Sequence, residues 1–475
     1  MTLANLRPMA PELILIALGL VLLMLDLICR KKEMLAIVTL IGAILAFYFI
    51  KGSHGGLFDG MFIADLYSNF FKTVFIINLL LSTLISVKYL DTERALHGEY
   101  YALLVFATVG MMTMASAGNL IVLYLGLELM SLSIYVLCGF LRNNIKSTES
   151  AIKYFLLGAF STAILLYAIS LLYGSTGSTD FNKIANAVAV MGAGAALKPL
   201  LLFSVALFVT AVGFKIAAVP FHMWSPDVYE GAPTSVTAFM SVGPKAAGFA
   251  IIGKIFFVAI FGLHVEWVKL LIPISVATMI TGNVLAISQT NIKRMLAYSS
   301  IAHAGYALLG ILTADGDGLT AAMNYMLIYM FMNVGAFAVV IMLRTEDFAG
   351  DELKDYLGLA KTHPLAAFLM MIFMFSLTGI PPTAGFIGKF YIFTALIHSG
   401  QLKLAVAGVL ISVISAFFYL RVVMYMYMKD PEVETPVSDS LYLKVALAIS
   451  VVMVIVIGVF PGKFIEFAKA SLILQ

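Results

Sequence analysis

The chain has 475 residues, of which 62% are hydrophobic and 12% charged, with a formal net charge of +3. A mean hydropathy of +1.02 leaves too little charge to clothe a soluble surface of this length, so the chain reads as a polytopic membrane protein with lipid as its main solvent. No basic patch exceeds a few residues, and nothing points to nucleic-acid binding; what matters is where the charges fall along the chain.

Two cysteines, Cys29 and Cys138, lie near predicted helix ends. Without a CxxC motif they propose neither an iron–sulfur nor a zinc site, and both are expected as free thiols. No GxGxxG follows a strand and no GxxxxGK[ST] occurs, so no nucleotide or other cofactor site is expected in the chain. The N-terminus lacks a basic leader and a cleavage site, and its first apolar run is expected to remain as a span.

A span needs roughly 20 apolar residues. That rule predicts an all-α chain of about fourteen transmembrane helices, at 9–28, 34–50, 67–87, 99–117, 119–140, 149–173, 199–220, 234–260, 270–288, 295–313, 318–343, 365–397, 403–428 and 441–460. The run at 365–397 is too long for one straight helix and holds Ile380-Pro381-Pro382, so it reads as one broken span. No soluble domain fits between spans. The longest polar connections are 344–364, expected to hold a short amphipathic helix, and roughly 174–198.

Lys and Arg set the expected orientation. Connections leaving odd-numbered spans hold Arg30, Lys31, Lys32, Lys88, Arg94, Arg142, Lys146, Lys293, Arg294, Arg344, Lys354 and Lys361, whereas the other side holds few, such as Lys51, Lys183 and Lys403. The positive-inside rule then puts both termini on the outer side. The connection at 221–233 is the exception, since it lies inside on this count and has no Lys or Arg.

The stretch from Thr210 to Lys245 organises the chain. It joins Lys215, Lys245, His222, Asp227 and Glu230 to Pro220, Pro226, Pro233 and Pro244 within long apolar runs. A proline frees backbone carbonyls and a lysine in lipid is costly, so a broken helix with an ionisable group at the break is the build of an ion path. Span twelve repeats the pattern, GIPPTAGFIGKFY at 379–391 against GFKIAAVPFH at 213–222. Broken helices seven and twelve, five spans apart, point to two inverted five-helix repeats, spans 4–8 and 9–13. The expected organisation is a single membrane domain: three N-terminal spans in 1–98, one repeat in 99–260, a second in 268–428, and a last span in 429–475.

Few ionisable groups lie inside spans. Glu128 sits about nine residues, roughly 14 Å, into span five. Lys215 precedes Pro220, Lys245 is mid-span eight, Lys389 follows the break in span twelve, and His303 is well inside span ten. A carboxylate near buried lysines can poise and switch their protonation, and a chain of such groups can relay protons. Each also has a plainer reading. Lys153, Lys72 and Lys254 can snorkel to the interface. His303 can be a hydrogen-bonded packing residue, His222 can cap freed carbonyls, and Arg421 can cap a helix end or meet a neighbouring subunit.

LGLELMSL (125–132), AIKYFLLGA (151–159), GFKIAAVPFHMWSPDVYEGAPT (213–234), SQTNIKRMLAYSSIAHAGY (288–306) and GIPPTAGFIGKFY (379–391) carry a resemblance. Over essentially its whole length the chain resembles the N subunits of respiratory NADH–quinone oxidoreductase, antiporter-like membrane subunits of complex I whose mitochondrial relative is subunit 2. The wider family includes subunits of multisubunit cation/proton antiporters and membrane-bound hydrogenases. The resemblance implies fourteen helices, two inverted repeats and one proton channel. It implies proton-translocating roles for Glu128, Lys153, Lys215, Lys245 and Lys389, with His222 and His303 as further candidates. On the resemblance, a lysine at 389 favours the N subunit, or the distal subunit that also carries a lysine, over the relative with glutamate there, and the short stretch beyond 460 argues against the distal subunit with its long lateral helix. The expected partners are other membrane subunits of complex I and lipid, in a bacterial inner membrane. NADH, FMN, iron–sulfur clusters and quinone belong, on this resemblance, to other subunits. A subunit of a cation/proton antiporter and a structural spacer with vestigial lysines are the alternatives.

Overall fold

The computed structural model describes residues 3–29, 31–191, 197–432, 436–438 and 440–472. Arg30, part of the charge bias above, and the C-terminal Gln475 lie outside the described residues. The chain is nearly all helical, and among the described residues twelve helices are long and apolar enough to cross a membrane.

The N-terminal three are α1 (Ala10–Ile28), α2 (Glu33–Ile50) and α3 (Leu66–Thr92). Between the last two runs a short hairpin, β1 (Gly55–Leu57) against β2 (Phe62–Ala64), which apolar periodicity did not announce. Then come α4 (Gly98–Ala115), α5 (Leu120–Cys138) and α6 (Ile145–Thr176). The connection after α6 folds into α7 (Phe181–Val190), where Phe181, Ile184 and Val188 bury one face. Next are α8 (Lys198–Lys215), the short α9 (Trp224–Gly231), α10 (Thr234–Lys254), α11 (His264–Ile287), α12 (Ile292–Ile311) and α13 (Gly316–Met342). The chain ends with a single turn α14 (Leu359–Thr362), α15 (Pro364–Thr378), α16 (Ala384–His398), α17 (Leu402–Met428), α18 (Leu441–Val459) and α19 (Gly462–Ala470).

Twelve falls short of fourteen for a physical reason. Span ten is α12, almost wholly buried and therefore free to carry Lys293, Ser299, Ser300 and His303 instead of lipid-facing residues. Span twelve is two half-helices, α15 and α16. The expected amphipathic helix in 344–364 is also replaced. Gly350 and Gly358, both at φ of +65°, interrupt the segment, and the Ile292 amide bonds to the Asp351 carbonyl while the Leu353 amide bonds to that of Thr290. Those bonds hold the segment against the start of α12.

The bundle has a buried spine and a lipid-facing rim. The α10 and α13 helices are buried along almost their full length and pack on each other and on α3. The outer α1, α2, α6, α17 and α18 expose large apolar side chains such as Leu27, Tyr48, Phe160, Leu410 and Val452. Ionisable residues on the spine cannot reach water by bending, so they must find partners inside the protein.

Candidate functional site

Two helix breaks frame the site. In the first, α8 stops at Lys215 because Ala217 takes a left-handed conformation (φ +59°) ahead of the cis Val219-Pro220 bond. The backbone groups this frees are recaptured locally. Ala218 donates to the Gly213 carbonyl at 2.7 Å, the Val219 amide to the Thr278 hydroxyl at 2.9 Å, and the Trp224 indole to the Phe214 carbonyl at 3.0 Å. In the second, Gly379 (φ +92°) ends α15 ahead of the cis Pro381-Pro382 bond. Ile216–Ala218 are buried, whereas Pro220, Pro381 and Pro382 lie on the chain's own surface. The Pro382 carbonyl nevertheless turns inward, so close to Gly458 of α18 that a Cβ there would collide with it.

Lys215, 3% exposed, donates to the Ser131 hydroxyl at 2.9 Å, and that hydroxyl itself donates to the Leu127 carbonyl at 2.7 Å. Glu128 lies one turn before Ser131 on α5 and acts coulombically on Lys215, but among the described residues the two make no ion pair within 4.0 Å. The buried Oε1 of Glu128 has no hydrogen-bond partner among the described residues. The expected pair is therefore held apart, with Ser131 occupying the lysine. The sequence signal for that serine is its i+3 spacing from Glu128.

Lys245 on α10 is buried and donates to the Ser300 carbonyl at 2.7 Å and to the Ser300 hydroxyl. His303 follows one turn later on α12. Its Nδ1 is 2.6 Å from the Tyr325 hydroxyl and its Nε2 is 3.0 Å from the Tyr419 hydroxyl. Tyr419 in turn hydrogen-bonds Ser299. Lys389 on α16 donates to the Thr378 carbonyl at 2.7 Å, a group freed by the second break, and lies 4.9 Å from the centre of the Tyr306 ring. Tyr306 stands edge-on to His303 at 6.0 Å. The fold thus brings Lys245, His303 and Lys389 into one polar line. Sequence reading missed its hydroxyl members, since Ser300, Tyr325 and Tyr419 sit on separate helices at ordinary apolar spacing.

Lys153 stands apart from that line. It is 41% exposed and pairs with Glu149 at 2.7 Å and Asp227 at 2.9 Å. Asp227 and Glu230 of α9 both bind Arg294, at 2.7 and 3.1 Å, and Glu230 also binds Lys146 at 3.0 Å. Partial burial alone would raise both carboxyls, but the ion pairs outweigh it and hold each below its usual value. Together these groups clamp α6, α9 and α12 at one end of the bundle. His222 is buried in the first break, outside the polar line, and its Nδ1 has no partner among the described residues.

Three further expectations change or sharpen. Lys293, counted as a loop lysine, is buried and donates to the Ala232 carbonyl at 2.9 Å. Arg421 caps α11 through the Ile287 and Gln289 carbonyls at 2.7 and 2.8 Å. Lys72 and Lys254 do not snorkel; each is buried against a carboxylate, Glu12 at 2.9 Å and Asp65 at 2.8 Å. Cys29 and Cys138 are free, and among the described residues no three His, Cys, Asp or Glu side chains gather as a metal site.

A family model described as NADH:quinone oxidoreductase/Mrp antiporter, TM, matches residues 117–415. The NADH-quinone oxidoreductase subunit N 2 of Rhizobium meliloti is 48% identical, covering 97% of this chain and 96% of its own length. The chain belongs to the NADH-quinone oxidoreductase subunit N family. Its relative in Trichlorobacter lovleyi, NADH-quinone oxidoreductase subunit N, is 46% identical over 98% of this chain and 97% of that one. Among solved structures, a chain of respiratory complex I from Thermus thermophilus with bound aureothin matches at a TM-score of 0.81 and 30% identity, covering 97% of this chain and 99% of that one. A chain of the Mrp complex from a Dietzia species matches at 0.83 with 21% identity, over 99% and 97%, which is a likeness of fold.

Proposed function

We propose that this chain is the proton-translocating N subunit in the membrane arm of an NADH–quinone oxidoreductase of a bacterial inner membrane. Electron transfer from NADH to quinone, with its flavin and iron–sulfur centres, takes place in partner subunits; this chain moves protons. The observation that carries the reading is the set of ionisable and hydroxyl groups inside the bundle, all buried except the half-buried Glu128: Glu128–Ser131–Lys215 beside the first helix break, and Lys245–Ser300–His303–Lys389 running to the second. In this reading Glu128 and Lys215 form the switchable pair. Lys215 rests on Ser131 in one state and turns to Glu128 in another, and its proton affinity changes with the partner. Lys245 is the central relay and Lys389 lies on the outlet half. Lys153 belongs to the charged clamp at the inlet. The fourteen-span count, the inverted repeats at spans 4–8 and 9–13, and outward-facing termini complete the reading. A cation/proton antiporter subunit shares the fold, but family membership favours the quinone-linked role.

The test uses Glu128→Ala, Glu128→Asp and Lys215→Ala in complex assembled to wild-type levels. Both alanine variants are expected to lower proton pumping and, through coupling, quinone reduction; Glu128→Asp keeps part of both. A Lys215→Ala complex that pumps at the wild-type proton-to-electron ratio refutes the assignment and leaves the spacer as the better reading.

A further inference from the structure

The proton-translocating reading leaves unused the most deeply buried ion pair among the described residues. Glu12, in the first turn of α1, and Lys72, on α3, are 2.9 Å apart and both wholly buried. Apart from each other, the carboxylate oxygens and the ammonium have no hydrogen-bonding partner among the described residues. Removing two charges from water costs several kcal/mol per ion, and the cost is offset only when the remaining lone pairs and protons are satisfied. As a fastener between α1 and α3 this pair is poor, because apolar side chains of similar size would hold the helices as well.

Its surroundings lead both outward and inward. Lys254, at the end of α10, lies near enough for its ammonium and that of Lys72 to repel each other. It is paired to Asp65 at 2.8 Å, and the Asp65 side chain is 32% exposed. Immediately beyond Lys254 the helix widens into a π-helical turn, Ile255–Ala259, a distortion found frequently at functional sites. In the other direction α3 carries Asn78, about 9 Å along the helix from Lys72. Asn78 donates to the Phe239 carbonyl at 3.1 Å and lies against Gly243, two residues from Lys245, while its buried Oδ1 has no partner among the described residues. A buried orphan acceptor is a place for a bridging water.

We propose that Glu12, Lys72, Lys254 and Asp65 form a second proton-conducting station, connecting the Lys245 line to the membrane face that carries the N-termini of α1 and α3. In one cycle an N–H bond of the Lys72 ammonium breaks and an O–H bond forms on Glu12, leaving an amine and a neutral acid. A proton arriving along the Asn78 seam restores the ammonium, and the acid releases its proton past Lys254 and Asp65 to water. One proton enters and one leaves, with no redox change.

The proposal rests on the proton-translocating reading, and the experiment separates the two. The full complex, assembled in inverted membrane vesicles, is measured for NADH-driven proton-to-electron ratio in four forms: wild type, Lys215→Ala, the double variant Glu12→Leu/Lys72→Met, and Asp65→Asn. The double variant removes both charges while keeping the volume, so a merely structural pair is replaced without loss. The expected result is wild-type accumulation of the double variant with a ratio reduced as far as in Lys215→Ala, and a reduced ratio in Asp65→Asn. A double variant with the wild-type ratio overturns the station while leaving the Lys215 relay standing. If the double variant fails to assemble, the half-buried Asp65→Asn decides, and an unchanged ratio there overturns the proposal. A wild-type ratio in Lys215→Ala overturns the reading on which the station depends, and the station with it.

Discussion

Trp224 is the side chain on which the first helix break rests most heavily. It is 2% exposed, donates to the Phe214 carbonyl at 3.0 Å, and is stacked on Tyr154 at 4.4 Å and on Phe214 at 5.3 Å. Trp224→Phe keeps an aromatic ring and loses the donor. The Phe214 carbonyl retains the Ala217 amide at 3.1 Å, so the loss is expected at the lower end of an unmade buried hydrogen bond, about 1–2 kcal/mol. Trp224→Ala removes the donor and both stacks and opens a cavity between α6, α8 and α9, for a loss of about 3–5 kcal/mol. Unfolding in mixed dodecylmaltoside–SDS micelles measures both against wild type, and the proton-to-electron ratio of the surviving complex reads the effect on the neighbouring Lys215. The expected order is wild type, then Trp224→Phe, then Trp224→Ala, with the alanine variant least well coupled. An alanine variant within about 1 kcal/mol of wild type refutes the claim that Trp224 holds the break, since even a partly relaxed cavity of this size costs more than that.

The charged clamp at the other end of α9 responds to pH. Asp227 has its folded value held below 3.8, so its contribution to stability is complete above that value and is lost as pH falls through the folded one. Asp227→Asn is expected to destabilise by about 1 kcal/mol at neutral pH, a small figure because the side chain is more than a third exposed. That difference is expected to persist down to about pH 4 and to disappear below it in a micellar unfolding series; a gap that widens in acid contradicts the sign. A reporter enzyme fused after the C-terminal Gln475 is expected to show exported activity, and cytoplasmic activity reverses the orientation drawn from the Lys and Arg bias.

Much of this architecture was legible in one dimension. Apolar runs located the twelve candidate spans found among the described residues, because lipid demands a continuous stretch of about 20 apolar residues. Pro220 and Pro381-Pro382 located both breaks because a missing N–H and a clashing ring disfavour a helix interior, although α10 and α11 run through Pro244 and Pro273. Glu128, Lys215, Lys245, His303 and Lys389 were conspicuous because charge is so scarce in this chain. The relation between residues was not legible. That Lys215 meets Ser131 before Glu128, that Lys245 meets Ser300, and that His303 joins Tyr325 to Tyr419 depend on how α5, α8, α10, α12, α13 and α17 pack together. Likewise Lys72 and Lys153 share one chemistry, yet one is sealed against Glu12 and the other is exposed beside Asp227. Hydrophobic periodicity reports what surrounds a helix on average. The partner that meets a particular ammonium, and whether water reaches it, are set by which helices face one another, and in this chain that is where the proton chemistry is decided.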